Sequence, residues 1–184
     1  FAPGTQFNYT NMPDLSYQTE EEGTHIYLRA VFKNNRYENT FTSEYSTAPG
    51  KQTIEYDTKT DLNLPSQVAG RTFDGWYTGP NKTGTRITNA YGTMLNNWSV
   101  AEDRLLYAGW STNNYVINYV LNGGSLSGER NTYTIDSATY YLPTPTKAGY
   151  RFVGWYKDSA FKNYVSSVPM GSTGDKTFYA QWSE

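Results

Sequence analysis

Residues 69–77 read AGRTFDGWY and residues 148–156 read AGYRFVGWY. The two stretches share Ala-Gly, then Phe, then Gly-Trp-Tyr, in one register and 79 residues apart. A repeated unit dictates architecture, so self-similarity is settled before any local reading. Upstream, TIEY (53–56) answers TIDS (134–137) and Leu64-Pro65 answers Leu142-Pro143. Downstream, LLYAGW (105–110) answers TFYAQW (177–182). Offsets of 81, 78, 79 and 72 preserve the order of the blocks and require only small insertions. A partial third copy stands in front. IYLRAVFKNNRY (26–37) aligns with LYAGWSTNNY (106–115) through Ala30 with Ala108 and Phe32 with Trp110. The chain thus divides into the C-terminal half of a repeat (1–32), a linker (33–36), a first full repeat (37–110), a linker (111–114) and a second full repeat (115–184). Phe1 falls about where Tyr77 falls in its own copy, which is expected of a fragment that begins inside a repeat.

Within a unit the pattern is that of strands and turns. YVINYVL alternates and stops at NGGSLSG, NTYTID returns as the second arm of a hairpin, and LPTPTKAG is held extended because residues before proline avoid the helical region. YRFVGWY is a third strand. Strict alternation puts Tyr150, Phe152 and Gly154 on one face and Arg151, Val153 and Trp155 on the other. KTFYAQW closes the unit, and the segment between these last two strands has room for a short helix or turn. Gly75 and Gly154 are costly inside a strand unless the strand bulges there or something packs close, which leads us to expect a Trp ring or a crossing segment over each.

Composition agrees. Of 184 residues, 18 are Tyr, 8 Phe and 5 Trp, so the core must be aromatic, with many hydroxyls reaching its edge. A unit of about 70 residues has little volume in which to bury a core, and large anchors are the economical remedy. Trp76 and Trp155 are the expected central anchors, with Trp110 and Trp182 beside them on the closing strands. Gly70, Phe73 and Gly75 complete the motif in one copy, and Gly149, Phe152 and Gly154 in the other.

Net charge is −2 without a basic block, which argues against nucleic acid as a partner. The absence of Cys excludes disulfides, thiolate metal sites and a cysteine nucleophile. No stretch approaches the roughly 20 apolar residues of a membrane span. The lone His25 would have to serve any Ser-His-Asp triad, and a strand-end histidine is the simpler reading. No residue set with metal-ligand, phosphate-loop or nucleophile spacing is present, so no catalytic residue, metal or cofactor is expected.

GYRFVGWY … FYAQW, preceded by NYVLNGG and LPTPTKAGY, resembles the Listeria–Bacteroides repeat, the B-repeat type of module of internalin-like surface proteins. The likeness is strong over 115–184, good over 37–110 and limited to the closing strand in 1–32. The resemblance implies a mainly β or α+β fold, built of small β-grasp-like modules in tandem, each a mixed sheet wrapped on a short helix. It also implies an extracellular, cell-wall-anchored or secreted bacterial protein in which the modules serve as non-catalytic stalk, spacer or accessory adhesion elements in virulence. Neighbouring repeats are then the first expected partners, and a host surface protein or glycan the second. The first full copy departs from the pattern with STAPGK in place of Asn122-Gly123-Gly124 and with an insertion, ITNAYGTMLNNWSVAED (87–103). Trp98 and Tyr91 lie in that insertion, outside the shared packing motif. They are the candidate ligand contacts, since an aromatic on a loop can stack on a sugar or anchor a protein. The competing reading has Trp98 capping its own module's core or packing on the neighbouring module.

Overall fold

The structure, a computed structural model, describes residues 16–22 and 25–31 through their backbone and residues 35–184 in full. Phe1, Phe32, linker residues 33–34 and the side chain of His25 lie outside the described residues. Among the described residues thirteen strands follow one another: β1 (Ser16–Glu22), β2 (His25–Val31), β3 (Arg36–Thr42), β4 (Gln52–Glu55), β5 (Arg71–Tyr77), β6 (Arg104–Thr112), β7 (Tyr115–Val120), β8 (Thr132–Tyr133), β9 (Tyr140–Tyr141), β10 (Arg151–Tyr156), β11 (Tyr164–Val165), β12 (Ser167–Val168) and β13 (Lys176–Ser183). β1 and β2 form an antiparallel hairpin in which Glu22 faces His25.

The two full repeats have one topology. In the first, the sheet order is β4-β3-β6-β5, and in the second it is β11-β10-β13-β7-β8. Each sheet is mixed: the opening strand runs parallel to the closing strand, β3 with β6 and β7 with β13, and the outer partners are antiparallel. A parallel pair needs a long crossover. The remaining strands of the unit are that crossover, which is why a whole repeat separates the two central strands. Alternation sets the faces: along β13 Phe178 and Ala180 are buried between half-exposed neighbours, and along β7 Ile117 is buried between exposed Val116 and Asn118.

Two expectations need correction. No helix forms among the described residues; the segment reserved for one, 157–175, holds β11, β12 and turns. Its sequence diverts the backbone locally. The Asp158 carboxylate accepts hydrogen bonds from the backbone N–H groups of Lys162 (3.1 Å) and Asn163 (2.9 Å), with Phe161 at φ 56°. Such side-chain-to-backbone closure competes with helix formation. The third strand also does not alternate strictly. The β5–β6 register shifts between Phe73 and Gly75, and the β10–β13 register between Phe152 and Gly154. A bulge adds one residue to one strand, so Phe and Trp reach the same core: Phe73 packs edge-on to Trp76 at 5.3 Å and Phe152 to Trp155 at 5.5 Å.

The cores are aromatic and separate. Ile54, Leu62, Trp76, Met94, Trp98 and Leu106 form one; Ile117, Tyr133, Trp155, Val165, Val168, Phe178 and Ala180 form the other. A buried indole needs an acceptor, and the four shared tryptophans find theirs in matched places. Trp76 Nε1 donates to the Asn63 carbonyl (3.0 Å) and Trp155 Nε1 to that of Pro143 (2.7 Å), both in the extended connection before the bulged strand. Trp110 Nε1 donates to Ser43 Oγ (3.1 Å) and Trp182 Nε1 to the Leu121 carbonyl (2.9 Å), both just past the opening strand. Each ring thereby ties the sheet to the loop that covers it.

Register also refines the alignment of the copies. Tyr37 faces Ile54 and Tyr115 faces Tyr133. Buried Ile54 therefore corresponds to buried Tyr133 and not to Ile135, and the TIEY–TIDS match is two residues out of structural register. The turn Tyr56–Asp57 is the true counterpart of the turn Ile135–Asp136. By the same logic Asn39, opposite Arg104, corresponds to Ile117, opposite Lys176. Asn39 is fully buried, and its Oδ1 has no hydrogen-bond partner among the described residues. An unpaired buried carbonyl costs about 1–3 kcal/mol. Asn39→Val is accordingly expected to raise the stability of the first repeat by about 1 kcal/mol in urea unfolding; a loss would show that the amide holds an essential partner.

Candidate functional site: the joint between the repeats

The linker expected at 111–114 is shorter than the sequence suggested. β6 runs on through Thr112, with Ser111 opposite Thr72 and Thr112 opposite Arg71, leaving only Asn113 and Asn114 between the sheets. Asn113 is itself fastened to the first repeat. Its N–H donates to the Gly70 carbonyl (2.9 Å), and its side-chain oxygen accepts from Thr72 Oγ1 (2.7 Å).

Across this short link the second repeat sends the turn Ile135–Asp136 back onto the first. Gly70, at φ 75°, presents bare backbone, and a Cβ there would come within 2.8 Å of Ile135 Cβ. Glycine is required twice over, by the left-handed conformation and by the approach of the isoleucine. Beside it Arg71, only 11% exposed in its side chain, donates from Nη2 to Asp136 Oδ1 (2.5 Å) and from Nη1 to Thr112 Oγ1 (3.0 Å). Thr112 Oγ1 lies 3.3 Å from the other Asp136 oxygen. The guanidinium carbon sits 3.8 Å above the Tyr45 ring, a cation–π geometry. One arginine thus touches β6, the loop after β3 and the neighbouring repeat. Its planar fork suits that task in a way a lysine ammonium does not.

The joint borders a shallow cleft of about 270 Å³ whose lining includes Glu44, Lys82, Trp110 and Asp136. Nearby, burial alone would push the Asp74 carboxyl up. Hydrogen bonds from Lys82 and Ser111, with the charges of Lys82 and Arg86, outweigh it and hold the group below its ordinary value. That part of the sheet therefore carries a fixed carboxylate within a ring of donors.

The residues singled out as ligand contacts fall in different environments. Trp98 is 2% exposed and belongs to the first core, so no ring face is open to a sugar. Met94 and Thr88 from the same insertion are buried as well. The insertion is largely core-building: Thr88 Oγ1 accepts from Trp76 N–H (3.0 Å), and the bridge between Asp61 and Thr93 stands where β9 meets β12 in the second repeat. Tyr91 is the opposite case. It is 82% exposed at the tip of a turn that Asn89 closes through its side chain, which accepts from the N–H of Tyr91 (2.9 Å) and of Thr93 (3.0 Å). Of the shared motif, Trp76 and Trp155 are buried, and Phe73, Phe152, Trp110 and Trp182 pack partly buried around them. Arg71 and Thr112 escape sequence reasoning because the copies differ there, with Tyr150 and Glu184 in their places, and Asp136 escapes it because the TIEY–TIDS alignment sets it against Glu55 and not against its true counterpart Asp57.

The model of the Listeria-Bacteroides repeat domain matches residues 37–109 and 115–181. The chain belongs to this repeat family. Among curated relatives, a protein named "Putative membrane protein" from Evansella cellulosilytica is 29% identical over 167 residues, covering 91% of this chain and 24% of its own length. Internalin H of Listeria monocytogenes is 36% identical over 118 residues, covering 62% of this chain and 20% of its own. The chain thus spans a quarter or less of the relatives it matches.

Proposed function

We propose that this pair of Listeria–Bacteroides repeats is a non-catalytic stalk segment of a bacterial surface protein, extracellular and cell-wall-anchored or secreted, which holds other parts of that protein away from the cell and contributes to adhesion. The observation that carries the reading is the joint. A two-residue link, pinned at Asn113 and clamped through Arg71 and Asp136, suits a spacer that must keep its length, whereas independent binding modules need no such clamp. The names of the relatives, an internalin and a membrane protein, support placement at the cell envelope.

The test is the distance between spin labels placed in the two full repeats of the intact chain. A rod gives one narrow distribution. Arg71→Ala, which removes the clamp without touching either core, is expected to broaden it, and the Arg71–Asp136 coupling in a double-mutant cycle is expected near 1 kcal/mol, since Asp136 remains half in solvent. A broad distribution in the unmodified chain would sink the stalk reading.

A second reading has one observation in its favour. Tyr91 stands in solvent on a hydrogen-bonded turn, the form in which an aromatic can be offered to a glycan or host protein. If the first repeat binds such a ligand, Tyr91→Ala should abolish saturable binding on a glycan or host-surface panel while thermal unfolding stays unchanged. Equal binding by the two forms would remove this site.

A further inference from the structure

The second repeat carries the same face that the first uses at the joint, and there it is uncovered. Gly149 adopts φ 77°, next to the 75° of Gly70. Around Gly70 a Cβ would strike Ile135, while around Gly149 nothing lies within 4 Å. Tyr150, 42% exposed, takes the place of Arg71, and Trp182 takes that of Trp110. Lys147 brings the positive charge: its ammonium lies 4.2 Å from the Tyr150 ring centre and 5.9 Å from that of Trp182, and donates to the Asn122 carbonyl (2.9 Å). Together with Phe161 and Tyr179 these side chains line a groove of about 510 Å³. At the other end of each repeat stands the complementary element, a two-residue turn ending in Asp: Ile135–Asp136 in the second and Tyr56–Asp57 in the first, where Asp57 adopts φ 58° and its carboxylate also accepts from Asn97 Nδ2 of the same repeat (3.2 Å).

We propose that the Gly149–Tyr150 face of the second repeat is a socket for the apolar-Asp turn of a further Listeria–Bacteroides repeat, the apolar side chain lying on Gly149 and the carboxylate beside Lys147. The inference rests on the stalk reading and deepens it. A turn at one end and a socket at the other make each repeat a head-to-tail unit. The contact is heterologous and does not close on itself, so it propagates along one line. The source of charge differs from the first joint in a way the sequence explains. Glu184 occupies the position of Thr112 and would repel the incoming carboxylate, and Lys147, where the first repeat has Val68, offsets it. The first joint needs no lysine because Arg71 itself supplies the positive charge to Asp136.

The test extends the full chain beyond Glu184 with a copy of residues 113–184, which reproduces the spacing of the existing joint. Spin-label distances are read across both joints, and amide hydrogen exchange is followed at Gly149 and Tyr150. The expected result is a narrow distribution across the new joint and exchange at Gly149 slowed about tenfold or more relative to the unextended chain. Ile135→Ser, made in the appended copy alone, should broaden the distribution and restore the original exchange while leaving the second repeat unchanged. A broad distribution across the new joint, with the appended repeat folded by its amide dispersion, overturns the socket. So does a narrow one that Ile135→Ser leaves intact. If the original joint stays narrow in either case, the stalk reading survives the failure of the socket; if both joints are broad, the two fall together.

Discussion

Trp76→Ala is expected to destabilise the first repeat severely and leave the second standing. The ring is fully buried, touches Phe41 at 4.7 Å and Phe73 at 5.3 Å between centroids, and donates its N–H to the Asn63 carbonyl. Truncating a buried tryptophan costs about 3–5 kcal/mol. A unit of this size has roughly 4–10 kcal/mol in total, so the substitution removes between about a third and all of it. The cores are separate clusters, one per repeat, and no residue is shared between them. Calorimetry should therefore show the first transition lost or greatly lowered, and the second shifted only by what the joint contributes. Trp155→Ala should give the mirror result. A single transition displaced as a whole by either change would mean that the repeats unfold as one body, and the joint would then carry far more energy than one arginine clamp suggests. Solenoid arrays lie between these limits, with stability approximately the sum of units and neighbour contacts.

Much of the architecture was readable because a repeat repeats its anchors. Gly-Trp-Tyr and the Tyr-Ala-x-Trp closing strand occur twice in order, and each pair lands in the same place in its sheet. What did not transfer was anything that depended on register within a block. TIEY and TIDS look alike, yet pairing with Tyr37 and Tyr115 makes Tyr133, not Ile135, the partner of Ile54. That two-residue slip frees Ile135 from its own core and sends it to Gly70. Trp98 misled for a related reason. It has no counterpart in the second copy, so comparison between copies gave it no packing role, although it is buried in its own core and its backbone pairs with Asp57 and Thr58, accepting from the Asp57 N–H (2.8 Å) and donating to the Thr58 carbonyl (2.8 Å). The expected helix failed because a stretch rich in Ser, Asn, Asp and Gly offers side-chain and turn closures at every step. The joint was the least visible feature, since Arg71 and Thr112 have no like residue in the second copy and the two-residue slip hid the match of Asp136 with Asp57.

The two motif glycines, identical in sequence, are expected to answer differently to the same substitution. Gly75 has φ 141°, and a Cβ there would overlap the backbone carbonyl oxygen of Thr88. Thr88 cannot retreat: it is fully buried, its hydroxyl accepts from Trp76 N–H, and its carbonyl accepts from Arg86 Nε at 2.9 Å. Gly75→Ala must therefore combine backbone strain with displacement of a crossing segment, about 3 kcal/mol in all. At Gly154 no left-handed φ is required, and the nearest atom to an added Cβ is the edge of the Tyr164 ring at 2.7 Å. That ring is 63% exposed and can swing into solvent. Gly154→Ala should cost less than about 1 kcal/mol, because alanine also restricts the unfolded chain. Urea unfolding of the two single variants decides the matter, each read through the transition of its own repeat. Equal losses would mean that the bulge itself demands glycine in both copies. Unequal losses would mean that the first repeat keeps its glycine for the Thr88 crossing segment and the second for an aromatic side chain that can be moved aside.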